Sequence, residues 1–499
     1  MDSLYRHGFI RLFAMKFMPR NRFSVIAVCV ATIAALSAWF FVTPWMASTP
    51  SNLSELRALE SKIKEIAEAS IPAVVAVQQP NSPGFASGAI ISSDGLIVSS
   101  FHVSHQLRPY GVSGADVKHL NAGDMATVVL ADGTECEAEL LGADITSDIS
   151  LLKLVAPGPY PFLKVSADAK LNLGDWIIEI GHPTGLQRNR TPVVRVGRVL
   201  VSESEFFVSD CNITGGDSGG PLINLDGEVV GIPSFLVADE KNDGQSYYAW
   251  ARNKSGSPIL HSVIPANQIH SNWKTMLDGK ILPFRGDTSR LSNLLKEVNR
   301  ILPDRCWTRG RSVNEPFHFA ARDSCSWVVR ILDSSDRQVS LGTICSSEGY
   351  VVTLNSTLPD TPRCQMENGK IVDCNVILRD DRCNLAVLRI PSEHLSSVQW
   401  MTGDTRAPVG SFVVAPIESI CSDEHSFNVG IVSTPILTPI NGVAYDYFEI
   451  DMRLSDESCG GPVVNLECEA VGVSVRSHLY GTYVVPATKV KALLERALD

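Results

Sequence analysis

The sequence predicts an all-β protein made of two tandem copies of one barrel-forming fold, preceded by one N-terminal transmembrane helix. Three observations carry this. After residue 71 most of the chain consists of short β-rich runs separated by Gly, Asp and Asn, the pattern of a barrel or sandwich. Four sequence blocks recur in the same order in the second half. One uninterrupted apolar run stands near the N-terminus.

Length and composition fit this reading. A chain of 499 residues suggests roughly two to four domains. Hydrophobic residues at 44% and charged residues at 19% are close to globular averages. They exclude a disordered chain, a collagen-like repeat and a long coiled coil. A mean hydropathy of +0.08 excludes a many-pass membrane protein. The net charge of −11 lacks the basic footprint of a nucleic-acid binder, so no nucleic-acid partner is expected.

The apolar run is 23–42, FSVIAVCVATIAALSAWFFV, with no charged residue. At 1.5 Å per residue it is about 30 Å long as a helix, enough to span a bilayer. Residues 1–22 form a basic tail of net +4, and residues 43–54 carry no acidic or basic residue. The positive-inside rule keeps such a tail cytoplasmic and places the remainder across the membrane. A cleaved signal peptide would have a shorter core, about 7–15 residues, and a small-residue cleavage site. The expectation is therefore a single-pass anchor with extracytoplasmic (periplasmic or lumenal) domains. The exported part carries −15, the difference between −11 overall and +4 in the tail.

Residues 43–70 read as a linker and a short helix. Leu53, Leu56, Leu59, Ile63 and Ile66 recur at helical spacing, and Asn52 and Glu55 are placed as a capping box. The repeat then sets the architecture. SGAIISSDG (87–95) matches LGTICSSEG (341–349), and SDISLLKL (147–154) matches CNLAVLRI (383–390). SGGPLINLDGEVVGI (218–232) matches CGGPVVNLECEAVGV (459–473), and VIPANQI (263–269) matches VVPATKV (484–490). The offsets drift between 221 and 254 while the order is kept, as in two copies with different loop lengths. The copies are assigned to 71–275 and 321–499. The connector at 276–320 contains an amphipathic helix marked by Leu291, Leu294, Leu295, Val298 and Ile301.

Hydrolysing an amide needs a nucleophile, a base to take its proton, a group to orient the base and donors for the oxyanion. The first copy offers His102 in SSFHVSH, Asp148 in SDISLLKL and Ser218 in GGDSGGPL. Gly215 and Gly216 permit a tight turn in which the N–H groups of Gly216 and Ser218 can aim at one oxygen. In the order His–Asp–Ser, a chymotrypsin/trypsin-like double β-barrel brings the three together.

These blocks resemble the peptidase domain of the HtrA/Deg serine proteases. That family shows TNxHV, DxxxDLAxLK and GNSGGPL where this chain has SSFHV, DITSDISLLK and GDSGGPL. The resemblance covers about residues 60–275. It implies a serine endopeptidase with His102 as general base, Asp148 as its orienting carboxylate, Ser218 as nucleophile, and an oxyanion hole at Gly216 and Ser218. It implies protein or peptide substrates and no cofactor, and it leaves a homo-oligomer open. No metal-ligand spacing is visible. Asn212, six before Ser218, stands where a residue can line the floor of the specificity pocket. The chain departs from the family at Asp217, at Ser-Ser-Phe before His102, and in a charged insertion at 237–256.

In the second copy, block alignment places Ser356 at the His102 position, Asn384 at Asp148 and Cys459 at Ser218. Neither Ser356 nor Asn384 can act as an imidazole–carboxylate pair does, so this copy reads as a pseudoprotease. A cysteine hydrolase at Cys459 is a narrower reading, and a silent trypsin-fold scaffold is the alternative for the whole chain. Nine of the 12 cysteines lie between Cys306 and Cys468. Beyond a membrane they can form disulfides, and some of Cys306, Cys325, Cys345, Cys364, Cys374, Cys383, Cys421 and Cys468 are expected to staple the second copy.

Overall fold

Asn52 opens the first described helix, α1 (Leu53–Ser70), in a computed structural model. The model describes residues 49–78, 84–105, 122–167, 170–188, 190–203, 206–236, 261–282, 314–392, 394–403, 406–417, 427–440, 443–478 and 480–499. The expected anchor at 23–42, the insertion at 237–256, the connector helix, Cys306 and Cys421 lie outside them. Among the described residues, no helix is long and apolar enough to cross a membrane.

The cap of α1 follows its sequence signature with one change. Asn52 Oδ1 accepts the Glu55 N–H at 3.0 Å. The Glu55 carboxylate returns to the Ser51 N–H at 2.8 Å, one residue earlier than a capping box requires. Leu56, Leu59, Ile63 and Ile66 form the buried stripe. Pro72, which follows α1, lies in a 3₁₀ turn, where a missing N–H costs little.

The first copy begins with β1 (Val74–Gln78), β2 (Phe85–Ile90) and β3 (Leu96–Ser100), followed by α2 (Phe101–His105). Next come β4 (Met125–Val129), β5 (Glu135–Asp144) and β6 (Ile149–Leu154). These pair in the order β5-β4-β1-β2-β3-β6, and a β5–β6 pairing joins the ends into a ring. The second ring uses β7 (Trp176–Gly181), β8 (Val193–Ser202), β9 (Phe207–Ser209), β10 (Leu222–Asn224), β11 (Val229–Leu236) and β12 (His261–Pro265). It closes in the order β10-β11-β12-β9-β8-β7. Helix α3 (Ala266–Leu277) and β13 (Ile281–Leu282) follow, with β13 adding in parallel to β5.

The second copy repeats this plan. After α4 (His318–Cys325) come β14 (Val328–Leu332), β15 (Gln338–Ile344), β16 (Tyr350–Leu354), β17 (Arg363–Gln365), β18 (Ile371–Asp373), β19 (Asn375–Asp380) and β20 (Leu385–Arg389). They form a sheet in the order β18-β17-β14-β15-β16-β20-β19. Then β21 (Phe412–Pro416), β22 (Phe427–Ile440), β23 (Val443–Ile450), β24 (Pro462–Val464), β25 (Ala470–Ser477) and β26 (Thr482–Pro486) close a barrel. Helix α5 (Ala487–Leu498) ends the chain. The barrel order β21-β22-β23-β26-β25-β24 is the counterpart of β7-β8-β9-β12-β11-β10, strand for strand.

One apolar core continues from the first copy into the second. It joins Leu56 and Ile63 of α1, Ile178 and Ile180 of β7, and Phe412 and Ile431 of the second copy. Phe412 packs edge-on against Trp176 at 6.3 Å between ring centroids and against Phe317 at 5.3 Å. Glu60 of α1 accepts the Phe412 N–H at 2.8 Å. Helix α1 therefore sits against both copies.

Of the cysteines expected to staple the second copy, Cys325 is disulfide-bonded, while among the described residues Cys345, Cys364, Cys374, Cys383 and Cys468 stand as thiols.

Candidate active site

Asp148 meets His102 because their strands are antiparallel neighbours, with Ser100 of β3 opposite Ile149 of β6. His102 stands on α2, just beyond β3. Asp148 precedes β6 at φ 51°, a left-handed shape that a short polar residue tolerates. The His102 N–H donates to Asp148 Oδ1 at 2.8 Å, and His102 Nδ1 lies 2.7 Å from Oδ2. Ser234 Oγ donates to the same Oδ2 at 2.5 Å. Asp148 is only 3% exposed, so these donors supply what water would otherwise give the carboxylate. Burial presses the His102 pKa down, while the Asp148 charge and hydrogen bond raise it. The net position lies above the ordinary 6.5. Asp148 at Nδ1 leaves Nε2 as the nitrogen for a nucleophile's proton.

Ser218 belongs to the second ring, in the turn before β10, and is half-buried. Its carbonyl accepts the Ser87 N–H from β2 at 3.0 Å, tying this turn to the first ring. The site lies between the two rings of the first copy, as a two-barrel catalytic fold requires.

Two backbone bonds set the direction of the oxyanion donors. The Thr184 N–H holds the Gly215 carbonyl at 2.7 Å, and the Gly220 N–H holds the Asp217 carbonyl at 2.9 Å. A trans peptide points its N–H opposite its C=O. The Gly216 and Ser218 amides therefore face away from those partners. Among the described residues neither amide is bonded to a carbonyl, whereas the Asp217 amide is held by Thr214 O. Gly216 has φ 101°, and a Cβ there would approach His182 O to 2.4 Å, so only glycine fits. Ser87 Oγ steadies the same turn, donating to Gly216 O and accepting from His182 N, both at 2.8 Å.

Asp217 has a buried partner set. Its Oδ2 accepts the Thr214 N–H at 2.8 Å and Arg195 Nη1 at 2.9 Å. The same Nη1 reaches Glu179 Oε2 at 3.0 Å, and all three side chains are fully buried. Arg195 and Glu179 are directly opposed on β8 and β7. Burial and the Asp217 charge push Glu179 well above the usual carboxylate range. Asn212 Nδ2 donates to Tyr480 O of the second copy at 2.7 Å. Its side chain is thus engaged by the other copy. Among the described residues, no His, Cys, Asp and Glu cluster could hold a metal.

The second copy keeps the frame without the chemistry. Ser356 N–H donates to Asn384 Oδ1 at 2.8 Å, as His102 N–H does to Asp148. Leu341 N–H donates to Cys459 O at 2.9 Å, as Ser87 N–H does to Ser218. The turn before Cys459 is a 3₁₀ helix, Asp456–Ser458, with Glu457 at the Gly216 position. Cys459 is 1% exposed, and burial pushes its pKa up to about 12. A thiolate is scarce there at neutral pH, which removes the support for a cysteine hydrolase.

Residues 86–232 match the family model of the trypsin-like peptidase domain. These residues are similar to a trypsin-like peptidase domain. Two curated relatives extend the likeness, each titled "Probable periplasmic serine endoprotease DegP-like". That of Pseudomonas fulva is 38% identical over 199 residues, 37% of this chain and 37% of the relative. That of Brucella suis is 30% identical over 222 residues, 43% of this chain and 39% of the relative. The chain therefore spans less than half the length of either. A solved serine endoprotease from Yersinia pestis is 23% identical, covering 43% of this chain and 66% of that one, with a TM-score of 0.32.

Four residues of the site were not singled out as functional in the sequence: Ser234, Ser87, Thr184 and Arg195. Ser234 could have been found through the repeat, because it aligns with Val475, which cannot donate to a carboxylate. The others become visible only once strand register places them.

Proposed function

We propose that this chain is a serine endopeptidase acting through an acyl-enzyme. Ser218 attacks the scissile carbonyl, His102 Nε2 takes its proton and later gives it to the leaving amine, and Asp148 holds the imidazole. The Gly216 and Ser218 amides receive the oxyanion. The observation that carries this reading is the Asp148 carboxylate bonded at once to His102 N–H, His102 Nδ1 and Ser234 Oγ. The apolar run at 23–42 and the periplasmic titles of the relatives support an anchored enzyme acting on extracytoplasmic, misfolded or regulatory proteins. The degenerate copy at 321–499 accompanies the peptidase without a catalytic site of its own.

The test is labelling of the full chain with a serine-directed fluorophosphonate, beside cleavage of an unfolded protein. Wild type should label and cleave, and Ser218→Ala should do neither. A wild-type chain that takes no label would return the silent scaffold, against which the bonded His102–Asp148 pair now counts.

A further inference from the structure

The second copy touches the first at the segment that leads into the nucleophile. Three polar contacts mark the seam. Tyr480 O accepts from Asn212 Nδ2 at 2.7 Å, Thr434 Oγ1 lies 2.8 Å from Thr191 Oγ1, and Asp451 Oδ2 accepts the Val196 N–H at 3.5 Å. Beside them lies the buried Arg195, which grips Asp217 between the two oxyanion amides.

We propose that the degenerate copy holds the oxyanion turn of the first copy in its working shape, with Tyr480 O fixing Asn212 at the start of the segment that leads into the turn. This rests on the serine-peptidase reading and gives the second copy a role within it. Asn212 and Asp217 bracket Gly216, and Arg195 of the first copy holds Asp217, so a hold on Asn212 from the second copy fixes the other end of the segment whose Gly216 N–H must face the oxyanion. Asn212 is thus a positioning residue.

The experiment measures the fluorophosphonate labelling rate of the full chain for wild type, Asn212→Ala and Asn212→Asp, which keeps the shape but cannot donate to Tyr480 O, with melting temperature and peptide kcat and KM alongside. Both variants should lower the labelling rate and kcat by about tenfold with KM little changed, as expected for a misaligned donor. Rates within about threefold of wild type overturn the proposal. If Asn212→Ala fails to fold, Asn212→Asp decides by the same threshold. A wild-type chain that does not label is a different result, and it defeats the serine-peptidase reading instead.

Discussion

Asp148 and Asn384 hold the same backbone shape, φ 51° and 56°, and each accepts one amide hydrogen bond at 2.8 Å, from His102 and Ser356 respectively. The left-handed turn and its amide bond are therefore part of the fold, shared by a copy with the catalytic residues and a copy without them. What differs is the charge and the ring it orients.

Asp148→Asn should leave this backbone bond in place while removing the charge. Labelling and kcat should fall by about 10⁴-fold, because the amide stabilises neither the needed tautomer nor the imidazolium. The pH profile should move as well. Asp148 raises the His102 pKa against burial, so without the charge the acid limb should shift to lower pH in whatever activity remains. The same sign applies to stability. A raised His102 pKa stabilises the fold below pH 6.5 and loses that contribution as pH rises through the folded value. Melting curves of wild type and Asp148→Asn at pH 5.5 and 8 should converge at the higher pH as far as this group is concerned. A D148N variant with an unmoved acid limb would contradict the assignment.

Ser234→Ala removes the third donor to the Asp148 carboxylate and leaves the two from His102. A hydrogen bond to a charged group contributes about 1.5–3 kcal/mol. Activity should drop by roughly one to two powers of ten, since each 1.4 kcal/mol is tenfold in rate. Steady-state kcat/KM for S234A checks this. Loss as complete as that of Ser218→Ala would mean that the site had collapsed, and unchanged activity would leave Ser234 without a role.

How far the sequence led can be judged residue by residue. His102, Asp148 and Ser218 were legible because each sits in a block with its own turn chemistry. The second copy was legible because its blocks keep their order. Arg195 was not, since VVRVGRVL holds two arginines, both buried, and only strand pairing with Glu179 shows which one reaches Asp217. Asn212 was read as a pocket residue, but its partner Tyr480 lies 268 positions away across a seam that no motif marks. The cysteine skew suggested staples; Cys325 is disulfide-bonded, while among the described residues Cys345, Cys364, Cys374, Cys383 and Cys468 are thiols, a division that spacing alone does not mark.

The thiols of the second copy should divide into two kinds. Cys459, buried with a pKa near 12, should resist iodoacetamide at pH 7.5 in the native chain. Cys364 and Cys374 lie with their sulfurs 2.6 Å apart beside the β17–β18 hairpin. A mild oxidant such as diamide should link them, and peptide mapping would show their segment two hydrogens lighter. Closing so short a loop should add about 2–3 kcal/mol in the chain-entropy view. Rapid alkylation of Cys459, or failure of the pair to link, would count against this division.

The last prediction concerns the seam itself. The ring of Phe412 is 1% exposed and packs on Trp176 of the first copy and Phe317 before α4, while its amide is held by Glu60 of α1. Phe412→Ala would leave a cavity bordered by both copies and should cost about 3–5 kcal/mol. Because one core runs through α1, the first copy and part of the second, that cost should not fall on one copy alone. Calorimetry of wild type should show a single cooperative transition for the described copies, and Phe412→Ala should lower that transition as a whole. Two separate transitions in wild type, with only one moved by the substitution, would mean that the copies fold as independent units and that the shared core does not couple them.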